Sequence, residues 1–135
     1  MIIAVDFDGI IAEDEGNFPS IGEPIVPMID FIKELIEGGH EVVLWTCRTG
    51  GALLDAVEWC ENHGLQFCSI NENAPSNRRK YAARYPGGTR KVSADIYLDD
   101  HSIGFMSNVW EYRSRMVAIA VMIQQTRRLI ECDKR

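Results

Sequence analysis

The sequence predicts a three-layer α/β/α sandwich on a parallel sheet, folded as one domain over residues 1–135, and three observations carry that expectation. Short apolar runs alternate with stretches whose apolar residues recur at helical spacing, the pattern of parallel strands joined by right-handed helical crossovers. The runs are continuous rather than alternating, as strands buried on both faces are. Three of them end in polar residues able to do chemistry, and ligands of open α/β sheets sit beyond the carboxyl ends of the strands.

Residues 2–5 (Ile-Ile-Ala-Val) read as the first strand. Residues 9–27 contain Gly16, Pro19, Gly22, Pro24 and Pro27, which break any helix. From Pro27 the period changes: Met28, Ile29, Phe31, Ile32, Leu35 and Ile36 line one side of a helix that Gly38 and Gly39 stop. Residues 41–46 give the second strand. Gly50-Gly51 opens a helix through Leu53, Leu54, Val57 and Trp59, and residues 65–70 give the third strand. The polar stretch 71–90, with Pro75, Pro86 and Gly87-Gly88, leaves room for a short helix over 76–84. Residues 94–98 form the fourth strand. A long amphipathic helix over about 107–131, with Val109, Tyr112, Met116, Ile119, Ala120 and Ile123 on one side, closes the domain.

With 135 residues the chain supplies one core and not two. Its 46% hydrophobic and 25% charged content excludes a disordered tail, a collagenous fibre and a repeat array. Twenty acidic against fourteen basic residues give a net charge of −6, which disfavours phosphate-rich polymers and anionic membranes. No apolar run approaches the ~20 residues of a membrane helix, and the start, Met-Ile-Ile-Ala-Val-Asp, reads as a strand rather than a signal peptide. Cys47, Cys60, Cys68 and Cys132 form no Cys-x-x-Cys pair, so free thiols in a reducing cytoplasm are expected.

The strand ends carry Asp6-Phe7-Asp8-Gly9, Thr46-Cys47-Arg48 and Asp99-Asp100, with Lys91 shortly before the fourth strand. Four carboxylates at one sheet edge oppose one another's ionisation, and a divalent cation relieves them. An all-oxygen set suits Mg²⁺, which binds one or two carboxylates together with substrate phosphate oxygens. With a phosphate substrate each residue acquires a task. Asp6 is the carboxylate nucleophile and Asp8 the acid and base for the leaving oxygen and the attacking water. Gly9 turns the chain, and the amides from Phe7 to Gly9 form an anion-binding nest. Thr46 offers a hydroxyl to a phosphoryl oxygen, and Lys91 supplies fixed positive charge. Arg48 is a candidate clamp for a substrate anion, with an ordinary salt bridge as its alternative, and Cys47 fills space beside the phosphate loop.

These motifs resemble the haloacid dehalogenase superfamily of phosphohydrolases. Asp6-Phe7-Asp8-Gly9-Ile10 is similar to that family's Asp-x-Asp-Gly-(Thr/Val), Thr46 to its strand-closing Ser or Thr, Lys91 to its Lys or Arg, and Asp99-Asp100 to its acidic pair. The resemblance implies a Rossmann-like core and Mg²⁺ held by Asp6, the backbone carbonyl of Asp8 and one of the closing pair, Asp100 directly with Asp99 behind it. Neither residues 9–39 nor 71–90 have room for a cap domain, so the chain resembles small capless members with an exposed site. The expected activity is Mg²⁺-dependent hydrolysis of a phosphomonoester through an aspartyl-phosphate.

Other readings stand beside it. Residues 77–91 hold Arg78, Arg79, Lys80, Arg84, Arg90 and Lys91 with no acid, and with Tyr81 and Tyr85 they suit a nucleotide or nucleic-acid end as the phosphorylated substrate. A non-enzymatic phospho-acceptor, or a metal-binding protein without turnover, would use the same carboxylates. Val117, Val121 and Met122, off the main stripe of the last helix, offer a homodimer contact. His40 and His63 read as structural, His101 as a neighbour of the leaving group, and Asp95 as a structural acid at the opposite end of the sheet.

Overall fold

The computed structural model describes residues 1–134. Four parallel strands, β1 (Ile2–Val5), β2 (Glu41–Leu44), β3 (Ser69–Ile70) and β4 (Ile96–Leu98), are ordered β3-β2-β1-β4. Their register pairs Val5 with Leu44 on one side and with Leu98 on the other, so the ends of β1, β2 and β4 lie side by side. Helices α1 (Val26–Glu37) and α2 (Gly50–Asn62) make the first two crossovers; α3 (Pro75–Tyr81) lies in the third, and α4 (Ile103–Tyr112) and α5 (Arg115–Asp133) follow β4. This is the Rossmann-like α/β architecture expected, a four-strand parallel sheet flanked by helices.

Successive strand residues point to opposite faces, and the two faces are covered unequally. Ile3, Val5, Val42, Leu44 and Leu98 join one large core with Met28, Phe31 and Ile32 of α1, Ala56 and Cys60 of α2, and Ile119 and Ile123 of α5. On the other face Ala4 and Val43 meet Ala74 and Val92, with Ile2, Trp45 and Ala94 alongside. The chain runs β1 to β2 to β3 in one direction and then returns across β1 to β4. Right-handed crossovers therefore place α1 and α2 on one face and the 71–95 return on the other. The Ser76 hydroxyl donates to Glu41 at the start of β2 and ties α3 to that second face.

Several expected boundaries change: β2 ends at Leu44 rather than at 46, and α3 runs Pro75–Tyr81 rather than over 76–84. The closing helix is not continuous over 107–131: Arg113 is left-handed (φ 53°), and α5 restarts behind Ser114, whose hydroxyl accepts from Val117 N at 3.3 Å. Ser102 caps α4 in the same way through Phe105 N. Apolar spacing continues through the break because α4 and α5 each carry an apolar side, so period alone does not reveal it. Strands β3 and β4 are shorter than the apolar runs that contain them, since Leu65 and Ala94 pack on the core from loops. In α2 the buried residues are Ala56 and Cys60, while Leu54 is 70% exposed. Met122 belongs to the core rather than to a free outer stripe.

Candidate active site

Asp6 leaves the end of β1 and Asp99 and Asp100 leave the end of β4, and the pairing of those strands brings the carboxylates together. Asp6 N donates to Leu98 O at 2.9 Å, continuing the ladder one step past the strands. This edge is where the strand order reverses, the switch point at which open sheets bind ligands. Asp6, Asp99, Asp100 and His101 each place one ligand atom within 4.8 Å of all the others. Burial pushes the Asp6 carboxyl up to about 7; the Phe7 N–H at 2.7 Å partly relieves it, while Asp99, Asp100 and Asp8 raise it further.

Asp100 is buried at 6% exposure. Its Oδ2 accepts from Arg115 Nη2 at 2.7 Å. Its Oδ1 lies 2.9 Å from His101 Nδ1 without hydrogen-bond alignment, and it has no donor among the described residues. A buried carboxylate oxygen without a donor, next to a carboxyl whose ionisation three acids oppose, is an arrangement that a hard divalent cation completes. The residues thus fit Mg²⁺ through Asp6, Asp99 and Asp100. The expected division, with Asp99 behind Asp100, is softened: both present an oxygen, and Asp100 holds the orphaned one.

Asp8 faces the other way. Both its oxygens accept from Arg48, Oδ2 from Nε at 2.8 Å and Oδ1 from Nη2 at 2.7 Å. Arg48 is 2% exposed, and it also donates to Pro19 O and Ser20 O, with its guanidinium near the Phe7 and Phe18 rings. Of the two roles expected for Arg48, an anion clamp or a salt bridge, the salt bridge is the one formed, and it is buried rather than on the surface. Its donors are spent on Asp8 and on the 9–25 loop, which it pins beside the sheet edge. The Asp8 carboxylate accordingly stands outside the acidic cluster.

The expected amide nest is likewise absent at the positions tested by hydrogen bonds. Phe7 N donates to Asp6 Oδ1, Gly9 N to Ala12 O and Ile10 N to Phe7 O, so Phe7 and Gly9 do not offer these N–H groups to a substrate. The Phe7 side chain is fully buried in the core. Gly9 matters for space instead: at φ +80° a Cβ would lie 2.4 Å from Asp100 Oδ2 and 2.7 Å from Arg115 Nη2.

Thr46 stands just beyond β2. Its N–H donates to Asn71 Oδ1 at 2.8 Å, and its hydroxyl accepts from Arg48 N at 3.2 Å, which fixes its place beside the β1 end. Cys47 is an exposed thiol between Thr46 and Arg48. Lys91 is not brought to Asp6. It is exposed, its Nζ stands 5.7 Å from the Tyr97 ring centroid, and the Tyr97 hydroxyl is held by Val92 O on the second face. Asp6 forms no ion pair among the described residues.

Arg115 and Asn71 are the residues that sequence reasoning missed. Arg115 was hidden inside an apparently continuous helix, and Asn71 carries no motif; its left-handed backbone (φ 52°) after a short strand is the local signal. His101, adjacent to the acidic pair, joins the cluster. Asp95 accepts from Ile2 N at the far end of the sheet and His63 stacks on Trp59, both structural roles.

No protein-family model matches the chain, and neither does any curated protein. A solved structure does: the conserved protein coded by a locus of Bacteroides thetaiotaomicron is 33% identical, with a TM-score of 0.64, over 84% of this chain and 92% of that one. Its description names a conserved protein and no activity. At that identity and coverage, the chain belongs to the same family as this conserved Bacteroides protein.

Proposed function

We propose that the chain is a Mg²⁺-dependent phosphatase that hydrolyses a phosphomonoester through an aspartyl-phosphate on Asp6. The observation that carries this reading is the strand-end cluster of Asp6, Asp99 and Asp100, with an Asp100 oxygen that is buried and has no donor among the described residues. The order of motifs, similar to that of the haloacid dehalogenase superfamily, supports it. Mg²⁺ held by Asp6, Asp99 and Asp100 would neutralise the carboxylates and the phosphoryl oxygens as charge develops.

In this reading an Asp6 oxygen attacks phosphorus while the bond to the leaving oxygen breaks, and Asp8 delivers the proton that the leaving oxygen takes. Water then attacks the phosphoryl group, Asp8 accepts its proton, and Asp6 is released as carboxylate. Each transfer at Asp8 gives up one of its two bonds to Arg48, which keeps the carboxyl aimed by the other. Thr46 orients a phosphoryl oxygen. No described helix is long and apolar enough to cross a membrane. We place the enzyme in the cytoplasm, where its four thiols stay reduced.

The test is phosphate release from an aryl phosphate with Mg²⁺. Activity is expected to vanish in Asp6→Asn and with chelator; undiminished release in that variant would sink the proposal. The double pairing of Asp8 with Arg48 favours one second reading, a phospho-acceptor that hydrolyses slowly because its acid–base group is held. A phosphorylated chain that persists for hours after acetyl phosphate is removed would select it.

A further inference from the structure

The basic segment, expected beside the acidic cluster, instead lines a cavity of its own. About 440 Å³ in volume, it is bounded by Asn73, Asn77, Arg78, Tyr81, Arg84 and Tyr85 among others. None of its lining residues belongs to the acidic cluster. The size falls in the ~300–1,000 Å³ range of small-molecule sites. The walls are held in place: Asn73 accepts from Ser93 N and donates to Thr89 Oγ1, Asn77 donates to Ser93 O, and Arg78 pairs with Glu72 at 2.8 Å. These bonds tie α3 to the strand-entry loop across the second face of the sheet.

We infer that this cavity is a binding site for a nucleoside monophosphate, separate from the carboxylate edge. Three features select that chemistry. Tyr81 and Tyr85 are 36% and 44% exposed, with centroids 6.5 Å apart and planes at 59°, so each ring is open to a planar base rather than closed on the other. Cations stand at the same rings: Lys80 Nζ is 5.1 Å from the Tyr81 centroid and Arg84 Cζ is 5.4 Å from that of Tyr85. A half-exposed ring with a cation over one face suits a ligand that is flat at one end and anionic at the other.

Charge is the third feature. No carboxylate lines the cavity, and residues 77–91 carry six basic and no acidic residues in a chain of net charge −6. The local field therefore opposes the global one and draws an anion to this face. Arg84, which lines the cavity, forms no ion pair among the described residues and is left for a phosphate. Asn77 Oδ1, whose amide nitrogen is held by Ser93 O, takes no hydrogen bond among the described residues and supplies an acceptor that a base can meet.

The inference does not depend on the phosphatase reading, and its test keeps the two apart. AMP, adenosine, ribose 5-phosphate, inorganic phosphate and a ten-nucleotide single strand are titrated calorimetrically into the full chain with chelator present. The same series is run on Asp6→Asn, Tyr85→Ala and Arg84→Ala. AMP is expected to bind at least ~10-fold more tightly than adenosine or ribose 5-phosphate, because the ring and the charge are both read. Tyr85→Ala and Arg84→Ala, which alter exposed side chains, are each expected to weaken AMP about 10-fold, whereas Asp6→Asn leaves it unchanged. Equal affinity for AMP and inorganic phosphate, or indifference to both cavity variants, overturns the site. Loss of AMP binding in Asp6→Asn overturns its separateness, and affinity for the strand far above that for AMP overturns the free nucleotide as ligand. Failure of phosphate release in the aryl phosphate assay touches none of these outcomes.

Discussion

Replacing Asp6 by Asn separates what the acidic cluster does to the fold from what it does in chemistry. The Asp6 carboxyl ordinarily titrates at 3.8, and in the folded chain burial and its three acidic neighbours move it to about 7. Between those values the native state holds a proton that the unfolded chain has lost, so stability present at pH 4 is lost as pH rises through 7. One pKa unit corresponds to ~1.4 kcal/mol, so the shift amounts to about 4 kcal/mol at most in the metal-free protein at pH 8. Asn at this position carries no charge and keeps an oxygen for the Phe7 N–H. Urea unfolding at pH 4, 6 and 8 with chelator should show Asp6→Asn gaining on the wild type as pH rises, by several kcal/mol at pH 8 and by little at pH 4. Mg²⁺ at 100 times its Kd should restore ~2.7 kcal/mol to the wild type and much less to the variant. Parallel pH profiles for the two proteins would refute the reasoning, because Asp6 would then be no more burdened in the fold than out of it.

Three further outcomes follow from the same geometry. Arg48→Met should destabilise the chain by about 3 kcal/mol in urea, since Asp8 and two loop carbonyls lose a buried donor; a midpoint within error of wild type would make the pair dispensable. Gly9→Ala should cost about 2 kcal/mol, combining its left-handed backbone with the close approach of Asp100, and should blunt the Mg²⁺-induced rise in Tm; a normal rise would show that Asp100 does not serve the metal. Arg115→Met should lower Tm by a few degrees in chelator, where Asp100 loses its one well-formed partner, and by less in Mg²⁺. Equal losses in both conditions would show that Arg115 and the cation do not share Asp100.

The fold was legible because its signals are local and repeated. The runs at Ile2–Val5 and Glu41–Leu44 and the helical period after Pro27 each state an element, and their alternation states a parallel sheet. The break at Arg113-Ser114 was not legible, because two apolar helix faces in sequence mimic one and a single left-handed residue sets the turn. At the site, the carboxylates were legible because strand ends converge wherever a parallel sheet forms. What their side chains touch was not. Asp8 and Arg48 are 40 residues apart, as are many residues that never meet, and the burial of Arg48 comes from a loop that gives it two carbonyls and the Phe18 ring, none of which forms a motif. Lys91 was misplaced for the opposite reason: nearness in sequence to β4 says nothing about which face of the sheet the preceding loop crosses.

The strand order divides the sheet edge into two halves of unlike charge balance. Between β1 and β4 lie Asp6, Asp99 and Asp100, with Arg115 touching only the last of them. Between β1 and β2 lies Asp8, already matched by a guanidinium that no solvent reaches. An added cation gains most from the first half, where three carboxylates share one arginine and an Asp100 oxygen has no donor among the described residues. It gains little from the second, where it would have to displace a bidentate ion pair. Asp6 and Asp8, two residues apart in one motif, are therefore separated into different electrostatic settings by the strands on either side of β1. In the reaction proposed above, such a separation would let one carboxylate serve a metal and a nucleophilic role while the other is aimed for proton transfer. It also explains why loss of Arg48 should disturb Asp8 and the loop while leaving the metal half intact, an asymmetry that Mg²⁺ titration of Arg48→Met measures directly.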